Sequence, residues 1–205
     1  MEAGMNRKAL IVVDVQNDFC PGGALAVKDG DQVVEPINKM IQHACDKGWL
    51  IVFSRDWHPE KTKHFKQNPE DPNGWPAHCV RDTPGADFHP GLHRGGGIVV
   101  VSKGTQPDED GYSAFDGKSE YGNTLEEILK MNRVTELYVG GLATDYCVKE
   151  TVLDTLEKGY QVYVLEDACR AVNLKPNDGG DALDEMLIYG AALKTTEEVI
   201  REMDN

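Results

Sequence analysis

The chain turns from a strand into a helix at Gly140-Gly141-Leu142-Ala143-Thr144-Asp145-Tyr146-Cys147-Val148. The apolar run Leu137-Tyr138-Val139 precedes this turn, and a helical pattern that reaches Lys158 follows it. With Thr144 as the helix N-cap, Cys147 would lie in the first turn, where unpaired backbone N–H groups and the helix dipole favour a thiolate. Such a thiol is a candidate nucleophile. A cysteine of this kind is more commonly a small buried apolar residue, so the stretch alone leaves both interpretations open.

Apolar runs elsewhere in the chain predict a parallel sheet. They lie at residues 9–13, 49–54, 98–102, 135–139 and 161–165, and their β-branched composition is typical of strands buried on both faces. Helical spacing of apolar residues predicts helices over residues 31–47, from Thr124 to about residue 131, over 182–193 and over 196–203. Alternating strands and helices imply right-handed parallel crossovers. We therefore expect a single α/β domain over residues 1–205.

The composition narrows the classes of partner. The formal net charge is −14, which opposes binding to nucleic acid or to an anionic membrane surface. The five cysteines are scattered and form no CxxC pair, as expected for reduced thiols in the cytoplasm. The first eight residues are polar, and the apolar run after them is too short for a signal sequence or a membrane span. We expect a cytoplasmic protein without a membrane partner.

Three chemically reactive residues follow three predicted strands. Asp14, Lys103 and Cys147 each stand at or just beyond the carboxyl end of a strand, and ligands of open α/β sheets gather at that edge. Asp14 could serve as the base for the thiol, and Lys103 could stabilise negative charge. Backbone N–H groups of Ala143 and Cys147 would then form an oxyanion hole. Taken singly, each residue is more readily an exposed loop acid, a solvated lysine or a packed thiol, but all three are much less expected to fall at strand ends by chance.

A carboxylate and three imidazoles lie on the long loop after the second strand. Asp56 and His58 are two residues apart in an extended segment, so their side chains point the same way. His64 and His78 follow. This donor set suits a divalent ion, with zinc, manganese and iron as candidates, or else histidines in surface hydrogen bonds. Cys79 is not expected to join the set, because adjacent residues in extended chain point to opposite sides.

Six ordered motifs carry a resemblance to a known family. They are VDVQNDF at residues 13–19, DWHP at 56–59 with His64-Phe65, WPAHC at 75–79, KG at 103–104, YSAF at 112–115, and GLATDYCV at 141–148. Together they resemble the nicotinamidase/pyrazinamidase branch of the isochorismatase-like cysteine hydrolases. The resemblance implies a three-layer α/β/α fold with a six-stranded parallel sheet. It also implies hydrolysis of nicotinamide to nicotinate and ammonia, a step of NAD salvage, and hydrolysis of pyrazinamide.

The same resemblance implies roles for individual residues. It makes Asp14, Lys103 and Cys147 the catalytic triad. It makes Asp56, His58 and His78 ligands of one divalent ion, for which zinc is the first candidate, and His64 matches an additional ligand of some members. Other implied features are a ring sandwich between Phe19 and Trp75, a substrate contact from Tyr112, and a cis peptide between Leu142 and Ala143.

The sequence is also compatible with other functions. A sister amidohydrolase acting on a carbamoyl or ureido substrate would share the triad without needing the metal ligands. A scaffold protein that only binds metal would not need the intact triad. Isochorismate hydrolysis fits poorly, because those relatives lack the cysteine nucleophile. A homo-oligomer is compatible with the sequence, which does not specify the oligomeric state.

Overall fold

A mixed seven-stranded sheet forms the centre of the protein. The computed structural model describes residues 7–67 and 74–204. Its strands are β1 (Arg7–Val13), β2 (Leu50–Asp56), β3 (Ile98–Lys103), β4 (Lys118–Ser119), β5 (Val134–Leu142), β6 (Gln161–Arg170) and β7 (Ala192–Lys194). Their order across the sheet is β4-β3-β2-β1-β5-β6-β7. Every neighbouring pair is parallel except β3 with β4.

The parallel part of the sheet agrees with the prediction, and the strand count does not. Six strands are parallel, as the resemblance implies, and the antiparallel β4 adds a seventh at the edge. β4 has only two residues, Lys118 and Ser119, which is too short to produce an apolar or alternating pattern. The predicted strand at residues 161–165 is longer in the structure, where β6 reaches Arg170. Charged and polar residues in the added part interrupt the apolar pattern, so the sequence did not predict it.

Helices cover both faces of the sheet. They are α1 (Val34–Asp46), α2 (Leu125–Met131), α3 (Lys149–Glu157), α4 (Asp178–Tyr189) and α5 (Thr196–Asp204). The capping box that starts α2 is confirmed: the Thr124 hydroxyl accepts the Glu127 N–H, and the Glu127 carboxylate accepts the Thr124 N–H at 2.8 Å. The predicted helix at residues 31–47 instead begins with a 3₁₀ turn, Gly30–Val33, before α1.

Alternation along β1 shows why this arrangement has three layers. Leu10 and Val12 pack into one apolar cluster with α1, whereas Ala9, Ile11 and Val13 pack into a second with α2 and α3. All five side chains are fully buried. Burying a strand on both faces requires helices on both sides of the sheet, and the three-layer prediction is confirmed.

The four central strands deliver polar residues to one edge of the sheet. Asp14 follows β1, Asp56 ends β2, Lys103 ends β3, and the turn with Cys147 follows β5. Gly141 on β5 packs so closely on β1 that a Cβ would lie 2.0 Å from the Val13 carbonyl oxygen, at a φ of +134°. Only glycine fits there, so this residue brings the turn against β1.

The chain offers no helix suited to crossing a bilayer: within residues 7–67 and 74–204, none combines the necessary length and apolar character. The prediction that the chain has no signal sequence rests in part on residues 1–6, which lie outside the described residues.

Candidate active site

The three residues predicted to react together meet in one buried cluster. Nζ of Lys103 lies 2.8 Å from Oδ2 of Asp14 and 3.4 Å from Sγ of Cys147. It also donates to the Gly111 carbonyl at 2.6 Å and pairs with Asp56. Lys103 and Asp14 are completely buried and Cys147 is nearly so. The lysine is therefore an internal cation shared by two carboxylates and the thiol.

The two oxygens of Asp14 have different partners, the Ser54 hydroxyl for one and the Lys103 ammonium for the other. Its Oδ1 accepts the Ser54 hydroxyl at 2.7 Å. Its Oδ2 accepts no hydrogen bond of normal geometry from the described residues, and Asp14 belongs with Asp56 and Cys147 to a group whose donor atoms lie within 4.8 Å of one another. Burial raises the pKa of Asp14, against the opposing charge of Lys103. A carboxylate with a raised pKa beside a thiol is suited to accept its proton.

Lys103 stays protonated despite its burial. Burial acts to lower the pKa of its amine, but the charges of Asp14 and Asp56 outweigh that effect and raise the pKa well above the ordinary value. An unpaired lysine at this depth would lose its proton. The lysine is therefore a permanent positive charge beside the sulfur, suited to stabilise a thiolate and a developing oxyanion.

The turn that carries Cys147 differs from the prediction. Thr144 does not cap a regular helix: Ala143 occupies the cap position, Thr144–Val148 form an irregular turn, and α3 begins only at Lys149. Tyr146 interrupts the helical geometry with φ −129° and ψ −105°. The sequence did not predict this irregular turn, because a threonine before an apolar periodic run is the usual N-cap pattern. The cis peptide between Leu142 and Ala143, which the resemblance implied, is present.

The expectation that the helix start alone favours a thiolate at Cys147 is also wrong. Burial raises the pKa of its thiol well above the ordinary value, and Lys103 only partly opposes this effect. Desolvation is the largest cause, because burial disfavours the charged thiolate. The resting group is consequently a thiol, and its activation depends on transfer of the proton to a neighbouring base.

Three histidines form a second cluster next to the first. His58, His64 and His78 each offer a ring nitrogen, and these nitrogens lie within 4.8 Å of one another. The Nδ1 atoms are occupied elsewhere: by the Gly104 carbonyl at 3.0 Å for His58, the Asp110 carboxylate at 3.1 Å for His64, and the Pro76 carbonyl at 2.7 Å for His78. Such acceptors place the proton on Nδ1, which leaves Nε2 with a free lone pair.

The histidine cluster has the properties of a metal site. Nε2 of His58 is buried and has no hydrogen-bond partner among the described residues. Oδ2 of Asp56 lies 3.6 Å from this atom and 3.8 Å from Nε2 of His78. Burial acts to raise the pKa of Asp56, but Lys103 and the two histidines hold it well below its usual value. The ring nitrogens of the three histidines converge, the Asp56 carboxylate lies beside two of them, and this donor set fits a zinc-like ion.

Asp56 joins the two clusters, since its other oxygen, Oδ1, pairs with Lys103. Cys79 is buried but belongs to neither group of donor atoms found among residues 7–67 and 74–204. Its N–H donates to Asp18 at 2.7 Å.

An apolar pocket opens onto both clusters. Phe19, Trp75 and Tyr112, the residues for which the resemblance implies substrate contacts, line it together with Cys147 and Ala143. The Trp75 indole N–H donates to the Tyr112 hydroxyl at 3.0 Å, which fixes two of its walls. Further lining residues that the sequence did not single out are Leu25, Val27, Asp110, Gly111, Tyr146 and Val172. A mostly apolar pocket with a few converging polar groups is typical of a small-molecule site.

Sequence reasoning also missed three supporting groups: the Ser54 hydroxyl, the Gly111 carbonyl and the Asp110 carboxylate. Ser54 is the last residue of a predicted strand and could have been suspected, because its neighbours lie at the reactive edge. The other two lie on an irregular loop after β3, whose return to the site leaves no signal in the sequence.

Replacement of Lys103 by methionine is expected to destabilise the protein by about 3–5 kcal/mol, because the change leaves Asp14 and Asp56 buried without their counter-ion. Denaturant unfolding of the metal-free protein measures this loss, with exposed Lys28→Met as the matched control. The loss should shrink at acidic pH, where the unpaired carboxylates take up protons. A variant as stable as the control at neutral pH would show that Lys103 does not balance these charges.

Comparison with known proteins agrees with this geometry. The isochorismatase domain model matches residues 8–198. Nicotinamidase of Escherichia coli is 43% identical over 204 residues, covering 93% of this chain and 96% of that protein. The crystal structure of pyrazinamidase of Pyrococcus horikoshii in complex with zinc has a TM-score of 0.83 at 43% identity, covering 92% of this chain and 99% of the other.

A third relative is PnC1 from L. infantum, whose crystal structure is a complex with nicotinate. It has a TM-score of 0.79 at 32% identity, and the match covers 94% of each chain. The motifs quoted from the sequence, the sheet order and these similarities agree, and the chain belongs to the isochorismatase family of hydrolases, in its nicotinamidase and pyrazinamidase branch.

Proposed function

We propose that this protein hydrolyses nicotinamide to nicotinate and ammonia, and pyrazinamide likewise, through a thioester on Cys147. The observation that carries the proposal is the meeting of Asp14, Lys103 and Cys147 beside a cluster of three histidines in one apolar pocket. The triad supplies the chemistry of amide cleavage, and the pocket walls suit a planar ring. The relatives named for nicotinamide or pyrazinamide hydrolysis add support.

The first half of the reaction forms the thioester. Asp14 accepts the proton of the Cys147 thiol, and the sulfur attacks the amide carbon. The negative charge that develops on the amide oxygen is stabilised by the backbone N–H groups of Ala143 and Cys147 and by the nearby Lys103. The C–N bond then breaks as Asp14 returns the proton to the departing nitrogen, which leaves as ammonia.

The second half restores the enzyme. Asp14, again ionised, takes a proton from a water molecule, and the resulting hydroxide attacks the thioester carbon. The C–S bond breaks, the thiol regains its proton, and the acid product leaves. The same base thus serves in both halves, as microscopic reversibility of acyl transfer requires.

The residues present fit a divalent ion next to the ring. Asp56, His58, His64 and His78 would hold it, and zinc suits one carboxylate and three imidazoles. When bound, the ion would fix and polarise the ring nitrogen of the substrate, directly or through water. Phe19 and Trp75 would sandwich the ring, and Tyr112 would hold Trp75 in place. The side chains thereby set the distance between ring and sulfur, which favours reaction by orientation.

The direct test is an assay of ammonia and nicotinate released from nicotinamide by the zinc-loaded protein, with pyrazinamide and a ureido amide as alternative substrates. The proposal expects equal amounts of acid and ammonia from both ring amides and little reaction with the ureido compound. Preference for the ureido compound would favour the sister amidohydrolases, and turnover of none of the amides would favour a scaffold role.

Loss of the histidine cluster is expected to remove the metal and most of the activity. His58→Ala and His78→Ala should each weaken zinc binding by at least about tenfold and lower kcat/KM for nicotinamide by at least about 100-fold. Metal content after gel filtration and nicotinamide turnover measure the two effects. Exposed His93→Ala is the matched control. Full activity after chelation of all metal would contradict this part of the mechanism.

A further inference from the structure

The metal-site histidines differ in what orients them. Backbone carbonyls, of Gly104 and Pro76, accept from Nδ1 of His58 and His78. Nδ1 of His64 instead faces a side chain, Oδ1 of Asp110, at 3.1 Å. His64 itself is buried, whereas the Asp110 side chain is 67% exposed.

The loop after β3 holds Asp110 in place next to His64. Lys103 donates to the carbonyl of Gly111, the next residue, at 2.6 Å. Gly111 and Gly104 approach so closely that a Cβ on Gly111 would lie 2.3 Å from the Gly104 nitrogen, and both have positive φ values. This close approach folds the loop back on itself and returns Asp110 to the site.

The same loop is fastened to the segment that carries His64. The Pro107 carbonyl accepts the Lys63 N–H at 2.8 Å and the Thr62 hydroxyl at 3.1 Å. His64 also stacks on His58 with ring centroids 4.7 Å apart and an angle of 20° between the planes. Stacking fixes the plane of the His64 ring but not which nitrogen points inward. The hydrogen bond to Asp110 makes that choice.

We propose that Asp110 is a positioning residue for the metal centre: it holds the His64 ring with Nε2 toward His58 and His78 and so increases the affinity for a divalent ion. This inference rests on the proposed metal site. A carboxylate that accepts from a ligand histidine fixes its tautomer and increases its basicity. Because Asp110 lies at the mouth of the pocket, it is the one orienting group among the three that a point substitution can remove.

Zinc titration of the full-length, metal-stripped protein against a chromophoric chelator tests the role. Asp110→Ala should weaken zinc binding roughly tenfold, the lower end of such effects, because the site of the change is exposed. Asp110→Asn keeps an acceptor oxygen and should restore much of the affinity. Asp108→Ala removes an equal charge from an exposed position of the same loop and should leave the affinity unchanged.

A double-mutant cycle separates orientation of His64 from general effects of the loop. In the His64→Ala background, Asp110→Ala should cause no further loss of zinc affinity. An equal loss in both backgrounds, a loss no greater than that of Asp108→Ala, or no zinc binding by the wild-type protein would each overturn the inference. The titration measures zinc binding in the absence of nicotinamide. Its result therefore does not depend on whether the protein hydrolyses amides.

Discussion

Replacing Cys147 by alanine is expected to lower nicotinamide turnover by at least about 10⁴-fold, because loss of the nucleophile removes the covalent route altogether. The side chain belongs to the buried core and lies next to Lys103, but alanine removes only its sulfur atom, so the fold should survive. Ammonia release measures the effect, and thermal unfolding checks the fold. Cys45→Ala, at an exposed cysteine, is the matched control and should retain full activity.

Chemical labelling gives an independent reading of the same residue. Iodoacetamide should inactivate the wild-type protein by alkylating Cys147, and nicotinate should slow the reaction because it occupies the pocket. Undiminished turnover by Cys147→Ala would rule out the thioester route. Labelling that ligands do not slow would place the reactive thiol outside the substrate site.

Replacing Asp14 by asparagine is expected to lower kcat by about 10²–10⁴-fold, the usual contribution of a general base. Asparagine preserves the shape and can still accept the Ser54 hydroxyl, but it cannot take the Cys147 proton. Since burial raises the pKa of the Cys147 thiol, the thiol should then stay protonated at neutral pH. Turnover by the variant should therefore rise with pH over a range where the wild-type rate is already level.

Asp29→Asn is the matched control for this substitution. Asp29 is exposed and has a positive φ of 57°, which asparagine tolerates, so the activity should not change. Wild-type kcat in Asp14→Asn, or an unchanged pH profile, would show that another group deprotonates Cys147. Circular dichroism and the unfolding midpoint distinguish lost chemistry from lost structure.

The sequence predicted the residues that meet at the sheet edge, because their positions follow from a simple rule. β-branched runs identify parallel strands, and residues just after such runs must gather at the same edge. Asp14 and Lys103 were found in this way. The three histidines proposed to bind metal were predicted from donor chemistry and from the order of motifs, and the structure brings His58, His64 and His78 together.

The features of the site that the sequence did not predict depend on irregular backbone. The turn at Thr144–Val148 departs from helical geometry at Tyr146, although its pattern is that of a capped helix. Asp110 reaches His64 only because glycines at 104 and 111 let the loop fold back. The periodicity of apolar residues does not predict the path of such a turn or loop, because that path depends on contacts between segments distant in sequence.

In the proposed reaction, the amide carbon of the substrate is bound to Cys147 during turnover. Partitioning with hydroxylamine tests it most directly, because hydroxylamine attacks thioesters and competes with water for the acyl group. We predict that the zinc-loaded wild-type protein converts nicotinamide into nicotinate and the hydroxamate, in a ratio that shifts with hydroxylamine concentration, and that Cys147→Ala forms neither. Nicotinate as the sole product, formed at an unchanged rate across the same concentrations, would contradict the thioester account and indicate direct attack of water.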